Sequence, residues 1–344
     1  MNKGPIDIGV NKLDKDKKAS LLNRVLVAFA ILAVIVPCII LGGYFFFVLV
    51  AAAAILAIFE FIHAPRKKYR WYVWAIVYAC TISFIYWAII KWNVSSYLEC
   101  KELGTSFFFS PENNYRAIFV SIYGIAIEMG LLFFCAVAHE NFSVADIAYL
   151  FLMSLLIGIG MQSLLYTRYL PFTEFQGIVD TSSAAFRYWG SVVYFFYIEL
   201  VVVMTDTWAY FVGVFFGKHK MNPRVSPKKT WEGFFGGWIL GGLTGMAFAM
   251  INDVNGFPLL PTMRIFGEGS QWWWVVIVSF FLPLISTLGD LTFSFIKRHF
   301  EIKDFSKIFG AHGGMLDRAD SVIFGTIFGA VIAVFISGDW NIIA

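Results

Sequence analysis

Hydrophobic residues run in long stretches along this chain, and polar residues gather between them instead of alternating with them. A helix needs about 20 predominantly apolar residues to cross the hydrocarbon core of a bilayer. Nine stretches reach or approach that length: Val25–Leu41, Tyr44–Phe61, Tyr72–Ile90, Ala117–Ala138, Ile147–Tyr166, Gly190–Met204, Phe234–Met250, Trp272–Leu288 and Val322–Ile336. The sixth is ambiguous at its end, because apolar character resumes after Asp206 and continues to Phe216. That makes Asp206 a candidate intramembrane acid. The pattern predicts an all-α polytopic membrane protein with about nine transmembrane helices. It divides into a basic N-terminal segment (1–24), N-terminal transmembrane helices (25–189) and a C-terminal transmembrane domain carrying the candidate chemistry (190–344).

Composition agrees. The 344 residues are 59% hydrophobic and 14% charged, whereas a soluble domain carries about 25% charged residues. The net charge of +3 says little as a sum, and no nucleic-acid partner is expected. Distribution says more, since Lys and Arg concentrate on the cytoplasmic side of a membrane protein. With the N-terminus in the cytoplasm, alternate segments collect Lys3–Arg24, Arg66–Arg70, Lys218–Lys229 and the cations after the eighth stretch, 20 of the 26 Lys and Arg. The other side holds Lys91, Lys101, Arg116, Arg168, Arg187 and Arg264. This asymmetry predicts nine spans with the C-terminus outside. Trp71, Trp74, Trp92, Trp189 and Trp272–Trp274 fall at span ends, where amphipathic rings prefer the headgroup layer. Cys38, Cys80, Cys100 and Cys135 have no CxxC spacing and read as free thiols. The first apolar run lacks a small-residue cleavage site and reads as a retained anchor. Asn93–Ser95 and Asn141–Ser143 match the glycan acceptor pattern, which arises easily by chance.

Two of the cytoplasmic segments stand apart. Ser286–Asp320 carries five cations (Lys297, Arg298, Lys303, Lys307, Arg318), a Gly-Gly pair and several carboxylates. Ionisable groups beside hydrocarbon cost kilocalories each unless paired or solvated. Cations with glycine-permitted backbone approach suit a polyphosphate. Carboxylates in the same cluster reach phosphate through a divalent metal that bridges both anions. On a helix continuing from the eighth stretch, Asp290, Ser294 and Lys297 or Arg298 share a face. Asp317 and Asp320, three apart, share another. Capping of the ninth helix would explain one of them but hardly both together with Asp290. His312 could act as a general base, a phosphate donor or a structural donor. The last two are favoured, because a phosphate monoester is already ionised near neutral pH. Gly313 and Gly314 allow tight backbone approach or positive φ. In the second segment, Asp206–Gly233, the run Ser226-Pro227-Lys228-Lys229-Thr230 offers two lysines and two hydroxyls to phosphate oxygens. An ordinary positive-inside loop would look the same. Glu232 opens the following helix, where a dipole-stabilising role competes with a catalytic one. Of the other membrane acids, Glu199 lies two turns from Asp206 on one helical face. Glu60 is expected to pair with Arg66–Arg70, and Glu128 has no evident partner.

These residues resemble a family, the phosphatidate cytidylyltransferases or CDP-diglyceride synthases. Their signature is matched at Ser294, Lys297, Arg298, Lys303, Asp304, Ser306, His312, Gly313, Gly314, Asp317, Arg318 and Asp320. Upstream elements match at Asp206–Gly213 and Ser226–Gly233, and Ala319 departs from the usual larger residue. The likeness is specific over about Asp206–Ser321 and only hydropathic before it. It implies transfer of CMP from CTP to phosphatidic acid, giving CDP-diacylglycerol and pyrophosphate, with Mg²⁺ as cofactor. It implies metal binding by Asp290 and Asp317, supported by Asp206 and Asp320. Catalytic roles fall to Asp290, Lys297, Arg298, His312, Asp317 and Arg318, and substrate contacts to Ser226, Lys228, Lys229, Thr230, Lys303, Gly313 and Gly314. A homodimer in a bacterial inner membrane, with its site at the cytoplasmic face, belongs to the same expectation. The alternatives are a CTP-dependent lipid kinase, a cytidylyltransferase acting on another lipid phosphate, and a proton-coupled transporter using the intramembrane acids. A CDP-alcohol phosphotransferase is disfavoured, as no D-G-x-x-A-R run is present.

Overall fold

The computed structural model describes residues 29–30, 32–90, 111–169, 184–260, 263–266, 270–310 and 313–337. The segment 1–24, the Asn93–Ser95 pattern, Cys100 and His312 lie outside them. Each of the nine apolar stretches corresponds to a helix: α1 (Leu32–Leu41), α2 (Gly43–His63), α3 (Trp71–Ile90), α4 (Pro111–Ala138), α5 (Val144–Arg168), α6 (Ala184–Phe216), α7 (Trp231–Val254), α8 (Trp272–His299) and α9 (Leu316–Ser337). Among the described residues, six are long and apolar enough to cross a membrane: α2, α5, α6, α7, α8 and α9.

The basic run before α7, whose secondary structure the sequence did not specify, contains two strands. Strand β1 (Lys220–Asn222) pairs antiparallel with β2 (Ser226–Thr230) in a short hairpin, Lys220 opposite Thr230 and Asn222 opposite Ser226. The hairpin is closed at its base, where Trp231 N–H donates to the His219 carbonyl at 2.9 Å and Glu232 contacts His219 Nδ1 at 2.6 Å. Glu232 is therefore engaged in holding the hairpin. The ambiguous end of the sixth stretch is resolved as its resumed apolar character suggested: α6 runs unbroken for 33 residues, through Asp206 to Phe216. Polar residues there leave the backbone ladder intact: Thr205 and Thr207 donate to the carbonyls of Val201 and Val203 at 2.6 and 2.7 Å. Hydropathy falls at Asp206 while helicity does not.

Helices pack closely where they are glycine-lined. In α7, Gly233, Gly237, Gly241 and Gly245 recur every fourth residue. A Cβ on Gly237 would come within 2.7 Å of the Thr205 carbonyl, and one on Gly233 within 2.7 Å of the Ala209 carbonyl. Small residues let membrane helices meet backbone to backbone, and here the seam sets α7 directly on α6 beside Asp206. One hydrophobic core takes Phe61, Leu132 and Met153 from the N-terminal helices, and Phe195, Phe293 and Ile323 from α6, α8 and α9. It crosses the division placed at 189/190. A second core, around Tyr197, Val278 and Leu282, lies within the C-terminal helices. Arg168, 1% exposed, bonds the carbonyls of Ile39 and Ile40 at 2.6 and 3.3 Å, capping the end of α1. Ser143, of the second glycan pattern, caps α5 in a reciprocal arrangement with Asp146. Cys38, Cys80 and Cys135 are free thiols.

Candidate active site

Two long helices deliver acids to one depth. Trp189 and Asp206 are 17 residues apart on α6, and Trp272 and Asp290 are 18 apart on α8. At 1.5 Å per residue both acids stand about 26 Å along the helix from a tryptophan near its start, a length comparable with a roughly 30 Å hydrocarbon layer. Asp320 enters from the first turns of α9. The three acids act on one another: Asp206 interacts electrostatically with Asp290, and Asp320 with both. Cations are interleaved. Lys229 of β2 pairs with Asp290 at 2.5 Å and acts on Asp206, while Lys297 acts on Asp320. Ser294, one turn beyond Asp290, donates to it at 3.2 Å. The sequence places Asp206 and Asp290 84 residues apart, and only the α6–α7 seam and the fold of α8 and α9 bring them together.

Asp317 is placed differently from Asp320. Its Oδ1 accepts from Lys297 Nζ at 2.8 Å, and its Oδ2 accepts from the backbone of Phe305 and Gly314 at 2.8 and 2.9 Å. It ties the loop between α8 and α9 to α8. Gly313 has φ +81°, and a Cβ there would press on Asp317. Gly314 lies against Glu60 with no room for a side chain. The glycine pair thus admits two carboxylates of the protein. The expected pairing of Glu60 with Arg66–Arg70 is overturned: Glu60 accepts from Ser306 Oγ at 2.6 Å and from Met315 and Leu316 N–H at 2.7 and 2.8 Å. The basic segment instead meets Asp146, through Lys67 and the Tyr69 hydroxyl.

The remaining candidates divide between hairpin, loop and helix end. Thr230 is buried and N-caps α7, its hydroxyl accepting from Gly233 N–H at 3.2 Å. Ser226 is half-buried, and Lys228 and Lys303 are exposed. Arg298 joins the hairpin to the loop, donating to the carbonyls of Val225 and Ile302 at 3.3 and 3.2 Å. Arg318 is exposed on α9, and His312 lies outside the described residues. Glu128 sits beside Cys80 of α3, apart from the three aspartates. Glu60 is the residue that sequence reasoning misplaced. Its only signal was an acid within an apolar run, and its partners are 246–256 residues away.

A divalent cation can be tested against this donor set. Among the described residues, no three His, Cys, Asp or Glu side chains converge into a preformed metal cage. Mg²⁺ does not require one, because it takes one or two carboxylates and completes its shell with water and substrate phosphate oxygens. Three like-charged carboxylates acting on each other at a membrane boundary are hard oxygen donors of the kind it prefers. The residues fit.

The comparisons with known proteins point one way. A model of the Cytidylyltransferase family matches residues 22–336, which takes in both the N-terminal and the C-terminal helices. A protein of Staphylococcus epidermidis named phosphatidate cytidylyltransferase is 34% identical over 200 residues, 58% of this chain and 64% of that protein. Proteins of the same name from Staphylococcus saprophyticus and Staphylococcus aureus are 33% and 34% identical, with the same coverage. The chain thus spans just under two thirds of the length of the curated relatives it matches.

Proposed function

We propose a function from one premise: the chain belongs to the cytidylyltransferase family. The activity proposed for it is that named for its relatives: conversion of CTP and phosphatidic acid to CDP-diacylglycerol and pyrophosphate. A phosphate oxygen of phosphatidate attacks the α-phosphorus of CTP in line. The new O–P bond forms as the bond to the β-phosphate oxygen breaks, and pyrophosphate leaves with that electron pair. The nucleophile is already ionised, so no general base is required. What remains is positioning and charge neutralisation, the main work of phosphoryl-type transfer. The supporting observation is the group Asp206, Asp290 and Asp320 with Lys229 and Lys297 interleaved, at the depth where a lipid headgroup meets water.

Roles follow from placement. Asp206, Asp290 and Asp320 would hold Mg²⁺, which would supply charge neutralisation for the substrate phosphates. Asp317, whose two oxygens are engaged by Lys297 and the loop backbone, orders that loop. Lys229 lies between hairpin and acids, where it can turn from Asp290 to a substrate phosphate, and exposed Lys228 and Lys303 draw in the triphosphate. The lipid's acyl chains stay among the helices' apolar surfaces. Nine spans with the N-terminus in the cytoplasm put hairpin and loop on the CTP side of a bacterial inner membrane, as the Lys and Arg distribution supports. A homodimer completes the proposal.

Purified protein given CTP labelled at the α-phosphate, phosphatidate and Mg²⁺ should form labelled lipid, and a chelator should abolish it. Label in lipid only from the γ-position would identify a lipid kinase instead. Asp290→Asn should lower turnover by on the order of 10²-fold or more.

A further inference from the structure

Glu60 is wholly buried near the end of α2, yet its carboxylate serves the opposite half of the chain. It accepts the N–H groups of Met315 and Leu316, at the entry to α9, and the hydroxyl of Ser306 from the other arm of the same loop. The first N–H groups of any helix lack intrahelical partners. Asp317, the acid of the first turn, does not fill that need: it faces back to Phe305, Gly314 and Lys297. A negative charge at this end is favoured by the helix dipole. Gly314 is shaped to the contact, since any side chain there would strike the carboxylate. Asp320 stands one turn beyond Leu316, where it acts on Asp206 and Asp290.

We propose that Glu60 is a positioning residue for the transfer reaction. It fixes the first turn of α9, and with it the place of Asp320 opposite Asp206 and Asp290. The N-terminal helices then contribute to catalysis by supplying a cap to a helix of the C-terminal half. The same contact closes this helix end to substrate phosphate, because the anion it receives is the protein's own. The activity readout rests on the proposed function; the structural readout does not.

The test compares Glu60→Gln, which keeps the reach and one of the two acceptor oxygens, with Glu60→Asp, which keeps the charge but withdraws it by one methylene, and with Glu60→Ala. In the full chain, displacement of about 1 Å at a reacting group costs up to roughly 10²-fold. Glu60→Asp and Glu60→Ala should therefore lose turnover on that order, with KM for CTP within about threefold. Glu60→Gln, with the reach and one acceptor oxygen retained, should lose less than either. Hydrogen–deuterium exchange over residues 313–320 should quicken in Glu60→Asp while the other helices keep their protection. Glu60→Asp equalling or exceeding Glu60→Gln in turnover would overturn the proposal, and so would unchanged exchange over 313–320. Should Glu60→Ala fail to fold, the Asp and Gln variants decide alone. If the wild type forms no CDP-lipid, the proposed function fails and the exchange measurement still decides this inference.

Discussion

Asp290 and Asp317 are both aspartates paired to lysine, and they differ in what surrounds the pair. Lys229 and Asp290 are about a quarter exposed, at 26% and 24%, whereas Lys297 and Asp317 are 11% and 6% exposed. A solvent-accessible pair contributes about 0–1 kcal/mol, but removing one partner of a buried pair costs about 3–5 kcal/mol. Asp290→Asn should therefore leave the thermal unfolding midpoint nearly unchanged while abolishing turnover. Asp317→Asn should lower the midpoint as well, because Lys297 and two backbone donors lose their carboxylate. Equal midpoints for the two variants would reject this division of roles. A Lys297→Met, Asp317→Leu double variant should regain part of the midpoint and none of the activity. The spacing of Asp317 and Asp320 announced two acids on one helical face, and Lys297 acts on both. Their separation into a loop clamp and a member of the aspartate group was not legible. It depends on the positive φ of Gly313, which turns the loop back over Asp317.

Elements were legible where they depend on length and hydropathy alone, so all nine apolar stretches reappear as helices. Element ends were less so, because a single acid lowers hydropathy without breaking backbone hydrogen bonds, and α6 continues 12 residues past Met204. The hairpin escaped notice because Pro227 and two adjacent lysines argue against a strand, and its closure depends on His219 and Glu232 beyond its ends. The glycines of α7 carry a prediction of their own. Gly237→Ala puts a methyl against the Thr205 carbonyl and the Ala209 side chain, at 2.7 and 2.8 Å, so the helices must separate. A cost of about 1–3 kcal/mol is expected, with turnover falling as Asp206 moves. A Cβ on Gly130 of α4 would meet open space, and Gly130→Ala should be neutral or stabilise by up to about 1 kcal/mol. Thermal unfolding in detergent compares the two. Equal tolerance would mean that the seam does not hold α6 in place.

For the molecule as a whole, the proposed orientation makes a labelling prediction. In a cysteine-free background, single cysteines at Lys68, Lys228 and Lys303 should react with an impermeant thiol reagent only from the cytoplasmic side, and one at Gly256 only from the other. A split among the first three would break the nine-span arrangement. The long-range contacts were the least legible part of the chain, since no local period reports a partner 255 residues away, as Met315 is from Glu60. That separation has a consequence in time. At about 5–20 residues per second, a ribosome needs roughly 13–50 s to add the stretch between them. Until then α2 waits in the bilayer with an acid whose eventual donors do not yet exist, a costly state for a buried polar group. A nascent chain released before α9 keeps that defect, which marks it as unfinished to the cell's proteases. A chain stopped at residue 300 should accordingly be degraded faster than the same fragment bearing Glu60→Leu, as pulse-chase labelling would measure.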